Sequence, residues 1–144
     1  MRTALQPMKP RILNVEDDNL VQDVISGLLE QAGYEVALSS TLADGLRRVQ
    51  SEHFNLIILD YVLPDGTGLE LCRAIRRLDP HSPLLFFTGE DHGLNQQWAV
   101  SVCAQGCLTK PLGIYDLVAT VARLLDEAQS FEEDVAGSVV TSSH

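Results

Sequence analysis

The chain has 144 residues, 45% of them hydrophobic, and its 20 acidic and 10 basic residues give a net charge of −10. This length suits one globular domain, and the acidic balance argues against a nucleic-acid-binding surface, which needs clustered Lys and Arg. The three cysteines form no CxxC pair, which favours a reducing compartment. No segment approaches the roughly 20 apolar residues of a transmembrane helix, and the leader, residues 1–9, lacks the apolar core of a secretory signal. We therefore expect a cytoplasmic protein without membrane contact.

The first half of the chain alternates short apolar runs with amphipathic segments. An apolar stripe with helical spacing predicts a first helix, which Asp18 or Asn19 can cap and Gly33 can end. Thr41 can cap a second helix. The third strand is apolar without alternation, as in a parallel sheet covered on both faces. The strands predicted here are 11–15, 34–38 and 54–59.

The second half of the chain continues the alternation of helices and strands. Alternation of this kind means parallel strands joined by right-handed crossovers, with helices on both faces of an open sheet. Residues 10–128 form the predicted domain, and residues 129–144, acidic and then rich in Ser and Thr, are predicted to be a disordered or frayed tail. Helices are predicted at about 68–78, at 93–104 and after Pro111, with strands at 83–87 and 107–109.

Polar side chains stand at the carboxyl ends of four predicted strands, where open α/β sheets bind ligands. Glu16 and Asp17 follow the first strand, Asp60 the third, Thr88 the fourth and Lys110 the fifth. Clustered carboxylates persist where a cation neutralises them, and oxygen ligands suit Mg²⁺. A carboxylate beside Mg²⁺ can attack a phosphoryl group to form an acyl phosphate. Lys110 and Thr88 would then supply a positive charge and a hydrogen-bond donor for that group.

At these residues the chain resembles the receiver domain of bacterial two-component response regulators, the CheY-like domains. The resemblance covers about residues 11–129 and implies a flavodoxin-like, doubly wound (βα)5 sandwich. Its five-stranded parallel sheet has the order 2-1-3-4-5 with helices on both faces. The segments that carry the resemblance are VEDD at 15–18, LDYVLPDGTG at 59–68, FTG at 87–89 and LTKP at 108–111.

The resemblance also implies roles for the residues at the strand ends. The Mg²⁺ site lies beside the phosphoacceptor, with Asp17 as a direct ligand, and the peptide bond between Lys110 and Pro111 is cis. The implied site residues are Asp60 as phosphoacceptor, Thr88 and Lys110 as its catalytic partners, and Glu16, Asp17, Asp60 and the backbone carbonyl of Val62 as Mg²⁺ ligands.

By the same resemblance, the expected function is that of a single-domain response regulator. A histidine kinase or phosphotransfer protein phosphorylates Asp60, and the domain then binds a downstream protein without contacting DNA. It is not an enzyme in the usual sense, because phosphorylation and dephosphorylation are self-catalysed on its own side chain. A dimer through the fourth helix, fifth strand and fifth helix is a further expectation.

One departure from the family keeps a second hypothesis open. Cys107 stands where the family usually has an aromatic residue. The second hypothesis is that the chain is a docking scaffold that works without phosphorylation. Trp98 is expected to be a packed helix residue. A phosphatase of the haloacid dehalogenase type is disfavoured because position 63 is Leu, where the nucleophilic Asp would stand. A dinucleotide-binding G-x-G-x-x-G motif beginning at Gly66 is excluded because Leu71 stands where its last Gly would be.

Overall fold

The computed structural model describes residues 8–89 and 92–142, and within them five strands form one parallel sheet. The order in that sheet is β2-β1-β3-β6-β7, which is the predicted order 2-1-3-4-5 once the small β4–β5 hairpin is left out of the count. The strands are β1 Arg11–Val15, β2 Glu35–Ser39, β3 Leu56–Leu59, β4 Val62–Leu63, β5 Gly66–Thr67, β6 Leu84–Gly89 and β7 Gly106–Lys110.

Among the described residues, five α-helices and the 3₁₀ helix at Leu112–Asp116 pack on the two faces of the sheet. Alternate residues of each strand enter different cores, as the period of a strand requires. Helices α1 and α5 pack on the face that carries Ile12 and Ile58, and α2, α3 and α4 pack on the face of Leu13 and Ile57. The helices are α1 Asn19–Gln31, α2 Leu42–Ser51, α3 Gly68–Leu78, α4 Gln96–Ser101 and α5 Leu117–Ser142, with the 3₁₀ helix at Leu112–Asp116.

The residues predicted to cap or end helices do so in the structure. The Asp18 carboxylate accepts hydrogen bonds from the backbone N–H groups of Leu20 (2.9 Å) and Val21 (3.2 Å) and so caps α1. Gly33, with a φ of 101°, follows the end of α1. Thr41 caps α2 by accepting from the N–H of Asp44 at 3.0 Å. These caps start α1 and α2 within a few residues of the strands that precede them.

The end of the chain differs from the prediction. A disordered or frayed tail was predicted from residue 129, but α5 continues to Ser142. Residues 129–142 contain no Pro and a single Gly, and extending an existing helix by one residue costs far less than starting one. Most of the predicted leader, residues 1–9, lies outside the described residues, as do residues 143–144. Within the described part of the chain, no helix combines the length and the apolar character needed to cross a membrane.

Candidate metal and phosphoacceptor site

The carboxyl ends of β1, β3, β6 and β7 bring the predicted site residues to one edge of the sheet. Glu16 directly follows β1 and Asp60 directly follows β3, while Lys110 is the last residue of β7. Glu16 and Asp60 are buried, with 2% and 8% of their surface exposed, whereas Asp17 is exposed. A backbone hydrogen bond from the N–H of Asp60 to the carbonyl of Val15, 3.0 Å long, ties the two acidic strand ends together.

Three carboxylates converge at this edge. One oxygen from each of Glu16, Asp17 and Asp60 lies within 4.8 Å of the other two. Such a set of hard oxygen donors fits Mg²⁺, which takes one or two protein carboxylates and retains several waters. Asp17 is on the exposed side of the cluster, so the solvent side is available for those waters. The residues present therefore fit a divalent cation.

Lys110 lies across two of these acids. Its Nζ is 2.6 Å from Oε1 of Glu16 and 3.1 Å from Oδ2 of Asp60. Burial by itself would lower the pKa of Lys110, but the hydrogen bond to Glu16 and the charge of Asp60 outweigh it and raise that pKa. The amine therefore stays protonated and places a fixed positive charge beside the Asp60 carboxylate.

The surroundings of Glu16 raise the pKa of its carboxyl group. Burial raises its pKa from 4.5 to about 7, against the lowering effects of the Lys110 hydrogen bond and of the Asp18 N–H, and the charge of Asp60 raises it further. A buried carboxylate next to another carboxylate holds its proton because the charged form has lost its water. A bound cation would favour the charged form of Glu16, so cation binding there would displace a proton.

Thr88 lies inside β6 with none of its surface exposed. It is two residues beyond Phe86, which pairs with Leu59, the residue before Asp60. Among the residues that the structure describes, no group forms a hydrogen bond with the Thr88 hydroxyl. Buried hydroxyls are normally paired, so this one is a donor without a partner near the end of the strand next to Asp60.

Two residues near the cluster, Gly68 and Gln22, were not among the predicted site residues. Gly68 packs so closely that a Cβ there would lie 2.2 Å from the backbone oxygen of Asp60, so only glycine fits. Gln22 is buried, and its amide donates to the backbone carbonyl of Glu16 and, at 3.2 Å, to Ser40. The feature in the sequence that could have pointed to Gln22 is its amide side chain, next to the apolar stripe of α1.

Cys107 and Trp98 both lie next to Phe86 of β6. Cys107 pairs with Phe86 in the register of β6 and β7. The Trp98 ring packs edge-on against Phe86, with centroids 4.7 Å apart, and against Tyr61 at 5.9 Å. The interpretation of Trp98 as a packed helix residue is thus confirmed, and its ring lies beside the residue that follows Asp60.

Two expectations from the resemblance concern the backbone. The Lys110–Pro111 peptide bond is cis, as predicted. Val62 begins β4, and its side chain is 49% exposed; its backbone carbonyl as a metal ligand remains a prediction.

The sequence and the fold are similar to those of known proteins. The response regulator receiver domain family matches residues 12–122. The receiver protein CpdR of Brucella abortus is 35% identical over 116 residues, covering 80% of this chain and 96% of CpdR. The CheY-like receiver domain protein of Methanospirillum hungatei has a solved structure that matches with a TM-score of 0.77 and 31% identity, over 85% of this chain and 98% of that one.

The curated relatives also include longer proteins. The alkaline phosphatase synthesis transcriptional regulatory protein SphR of Synechococcus elongatus is 31% identical over 129 residues, 83% of this chain but 50% of SphR. The chain spans about half the length of most of the curated relatives that it matches.

These matches define a CheY-like, flavodoxin-like α/β protein of two-component signalling. The chain belongs to the response regulator receiver domain family. Receiver domains in general are phosphoacceptors, bind Mg²⁺ in an acidic pocket and interact with kinases or phosphotransfer proteins.

Proposed function

We propose that this chain accepts a phosphoryl group on Asp60 in a Mg²⁺-dependent reaction and signals by binding another protein. The observation that carries the proposal is the pairing of the Lys110 amine with Asp60 and Glu16 beside a cluster of three carboxylates. A cation beside an acidic nucleophile is the arrangement that phosphoryl transfer needs, because the transferred group is itself negatively charged.

In the proposed reaction, an Asp60 carboxylate oxygen bonds to phosphorus as the bond from phosphorus to the donor nitrogen breaks. The electron pair of that bond returns to the imidazole of the donor histidine. Glu16, Asp17, Asp60 and the carbonyl of Val62 would hold Mg²⁺, which supplies positive charge to the equatorial oxygens. Lys110 pairs with one phosphoryl oxygen, and the unpaired hydroxyl of Thr88 donates to another.

The proposed switch follows from the new charge. Phosphorylation adds about −1.5 to −2 charges and strong hydrogen-bond acceptors at Asp60. The Thr88 hydroxyl gains an acceptor in the phosphorylated state, and this difference biases β6 and the segment after it toward a second conformation. The affected surface would comprise α4, β7 and α5, which we propose as the site of partner binding or of a dimer.

The proposed partners are a histidine kinase or phosphotransfer protein that donates the phosphoryl group, and a downstream protein that binds the phosphorylated form. The net charge of −10 supports a domain that does not contact DNA itself. Cys72, Cys103 and Cys107 are all free thiols, which supports the cytoplasm as the proposed location.

The test is labelling with radioactive acetyl phosphate in the presence of Mg²⁺. Wild-type protein is expected to take up label that alkali removes, as for an acyl phosphate, and Asp60→Asn to take up none. Asp18→Asn is the matched control, since an Asn there can still cap α1 and Asp18 is outside the carboxylate cluster. Wild-type protein that takes up no label under these conditions would favour the alternative, a docking scaffold that works without phosphorylation.

A further inference from the structure

The inference concerns Asp65, at the tip of the β4–β5 hairpin. Its two carboxylate oxygens accept hydrogen bonds from the backbone N–H groups of Leu42 (2.7 Å) and Ala43 (3.0 Å), the first two residues of α2. The first N–H groups of a helix have no partner within the helix and carry partial positive charge. These bonds, first that from Ala43 and then that from Leu42, lower the pKa of Asp65. Asp65 is therefore an ionised cap on a helix more than 20 residues earlier in the chain.

The hairpin that carries Asp65 cannot be rigid by itself. Each of its strands has only two residues, with Val62 opposite Thr67 and Leu63 opposite Gly66, and isolated two-stranded hairpins are at best marginally stable. Its base is closed by a 2.6 Å hydrogen bond from the N–H of Gly68 to the carbonyl of Tyr61. Its tip is fixed on α2 through the Asp65 carboxylate.

Packing supports the contact between the hairpin and α2. A Cβ at Gly66 would come within 2.8 Å of Cδ1 of Leu42, so the hairpin backbone lies directly against the Leu42 side chain. Asp65 thus holds a contact surface together, in addition to capping a helix.

Helix α2 is in turn fixed to β1. A Cβ on Gly45 would lie 3.1 Å from Cγ2 of Val15 and 3.2 Å from Cδ2 of Leu71, so α2 approaches the end of β1 as closely as a glycine permits. Val15 directly precedes Glu16. Helix α2 therefore connects the strand end that carries the Glu16–Asp17 pair to the hairpin that begins at Val62.

We propose that Asp65 is a positioning residue for the Mg²⁺ site, holding the hairpin on α2 so that the Val62 carbonyl stays in place relative to Glu16 and Asp17. This inference rests on the proposed function, in which the Val62 carbonyl is a metal ligand. It goes further because the position of that carbonyl depends on Asp65, a side chain that touches neither the metal nor the phosphoryl group. A merely structural cap would affect the stability of α2 and leave Mg²⁺ affinity unchanged.

Thr41 offers a matched control for this distinction. Its hydroxyl also accepts a hydrogen bond at the start of α2, from the N–H of Asp44 at 3.0 Å, but Thr41 is not part of the hairpin. Thr41→Ala removes one acceptor and Asp65→Ala two from the same helix start, and only Asp65→Ala releases the hairpin. Asp65→Asn, which keeps one acceptor oxygen, serves as a milder variant if Asp65→Ala does not fold.

The experiment is a calorimetric titration of each variant of the 144-residue chain with Mg²⁺. We expect Asp65→Ala to weaken Mg²⁺ binding about fivefold to tenfold, less than the roughly tenfold to hundredfold effect of losing a charge-assisted hydrogen bond to the ligand itself, because Asp65 acts through the hairpin. We expect a smaller loss for Asp65→Asn and a change of less than about twofold for Thr41→Ala, which lies within ordinary scatter. Equal weakening by Asp65→Ala and Thr41→Ala, or no weakening by Asp65→Ala, would overturn the inference.

Amide hydrogen exchange of the metal-free chain separates this inference from the proposed function. If Asp65 holds the hairpin, the N–H groups of Gly66 and Thr67 exchange faster in Asp65→Ala than in wild type or Thr41→Ala. Unchanged exchange there refutes the inference even if wild-type protein binds Mg²⁺ and takes up phosphate. Failure of wild-type protein to take up phosphate refutes the proposed function instead, whatever the exchange rates are.

Discussion

Replacing Thr88 by Val is expected to stabilise the resting protein and to weaken its response to a phosphoryl analogue. The Thr88 hydroxyl is fully buried and has no partner among the described residues. Valine has nearly the same shape and lacks the polar group, so the change removes an unpaired donor without opening a cavity. The same change removes the donor that we propose for the phosphoryl group.

The structure sets the size of both effects. An unpaired buried hydrogen-bonding group costs about 1–3 kcal/mol, so the free energy of unfolding of the metal-free protein should rise by about 1 kcal/mol or more. For a domain of this size, that corresponds to an increase in Tm of roughly 2–5 °C. In the activated state, the hydroxyl would donate to a charged acceptor, a bond that contributes about 1.5–3 kcal/mol. The stabilisation added by beryllofluoride with Mg²⁺ should therefore be smaller in the variant by about 2 kcal/mol or more.

The assay is urea unfolding of both proteins with and without beryllofluoride and Mg²⁺. Thr109→Val is the control, because Thr109 pairs with Thr88 in the register of β6 and β7 but is only half-buried, and its hydroxyl is not among the buried groups without a partner. It should not stabilise the resting protein and should keep the full response. A Thr88→Val protein that is less stable than wild type, or that keeps the full response to beryllofluoride, would refute the reasoning.

Three further predictions concern other buried or neighbouring groups. The Asn14 side-chain nitrogen Nδ2 is buried and has no partner among the described residues, so Asn14→Leu should raise the free energy of unfolding by about 1 kcal/mol; Gln22→Leu, which breaks two hydrogen bonds, should lower it, and the opposite signs would contradict this account. The Val62 side chain offers no hydrogen bond to an attacking water, so Val62→Asn should speed the loss of label from phosphorylated protein about tenfold, below the roughly 10²–10⁴-fold of a general acid or base, because an amide orients the water without taking its proton; an unchanged rate would count against it. The pKa of Glu16 rises from 4.5 unfolded to about 7 folded, so the stability that it contributes without metal is full below pH 4.5 and is lost as the pH rises through 7. Unfolding in EDTA should therefore show wild type losing stability relative to Glu16→Gln over that range, and a constant difference would contradict it.

The sequence was sufficient to predict the sheet and the residues at its edge. Buried strands such as β3 are continuous apolar runs, and the polar residue that ends each run marks the carboxyl edge. Asp60 and Lys110 were recognisable for this reason although they are 50 residues apart. What brings them together is the strand order, which was expected from the resemblance to receiver domains and not from the pattern of apolar runs.

Other features could not be predicted because they depend on distant contacts or on weak local signals. The β4–β5 hairpin has strands too short to show any periodicity, and the capping of α2 by Asp65 joins segments with no pattern in common. The extension of α5 beyond residue 129 follows from helix propagation, whereas the Ser- and Thr-rich composition indicated a frayed segment. The pKa of Glu16 depends on burial, which composition does not give.

The position of Trp98 has a practical consequence. It is the one tryptophan in the chain, and its ring touches both Tyr61, directly after Asp60, and Phe86 on the adjacent strand. Indole emission is sensitive to the polarity and motion of its surroundings. Trp98 is therefore an optical probe within the protein, and it lies next to the acidic pocket from which a conformational change would spread. Stopped-flow experiments on the unlabelled chain can therefore time that change directly.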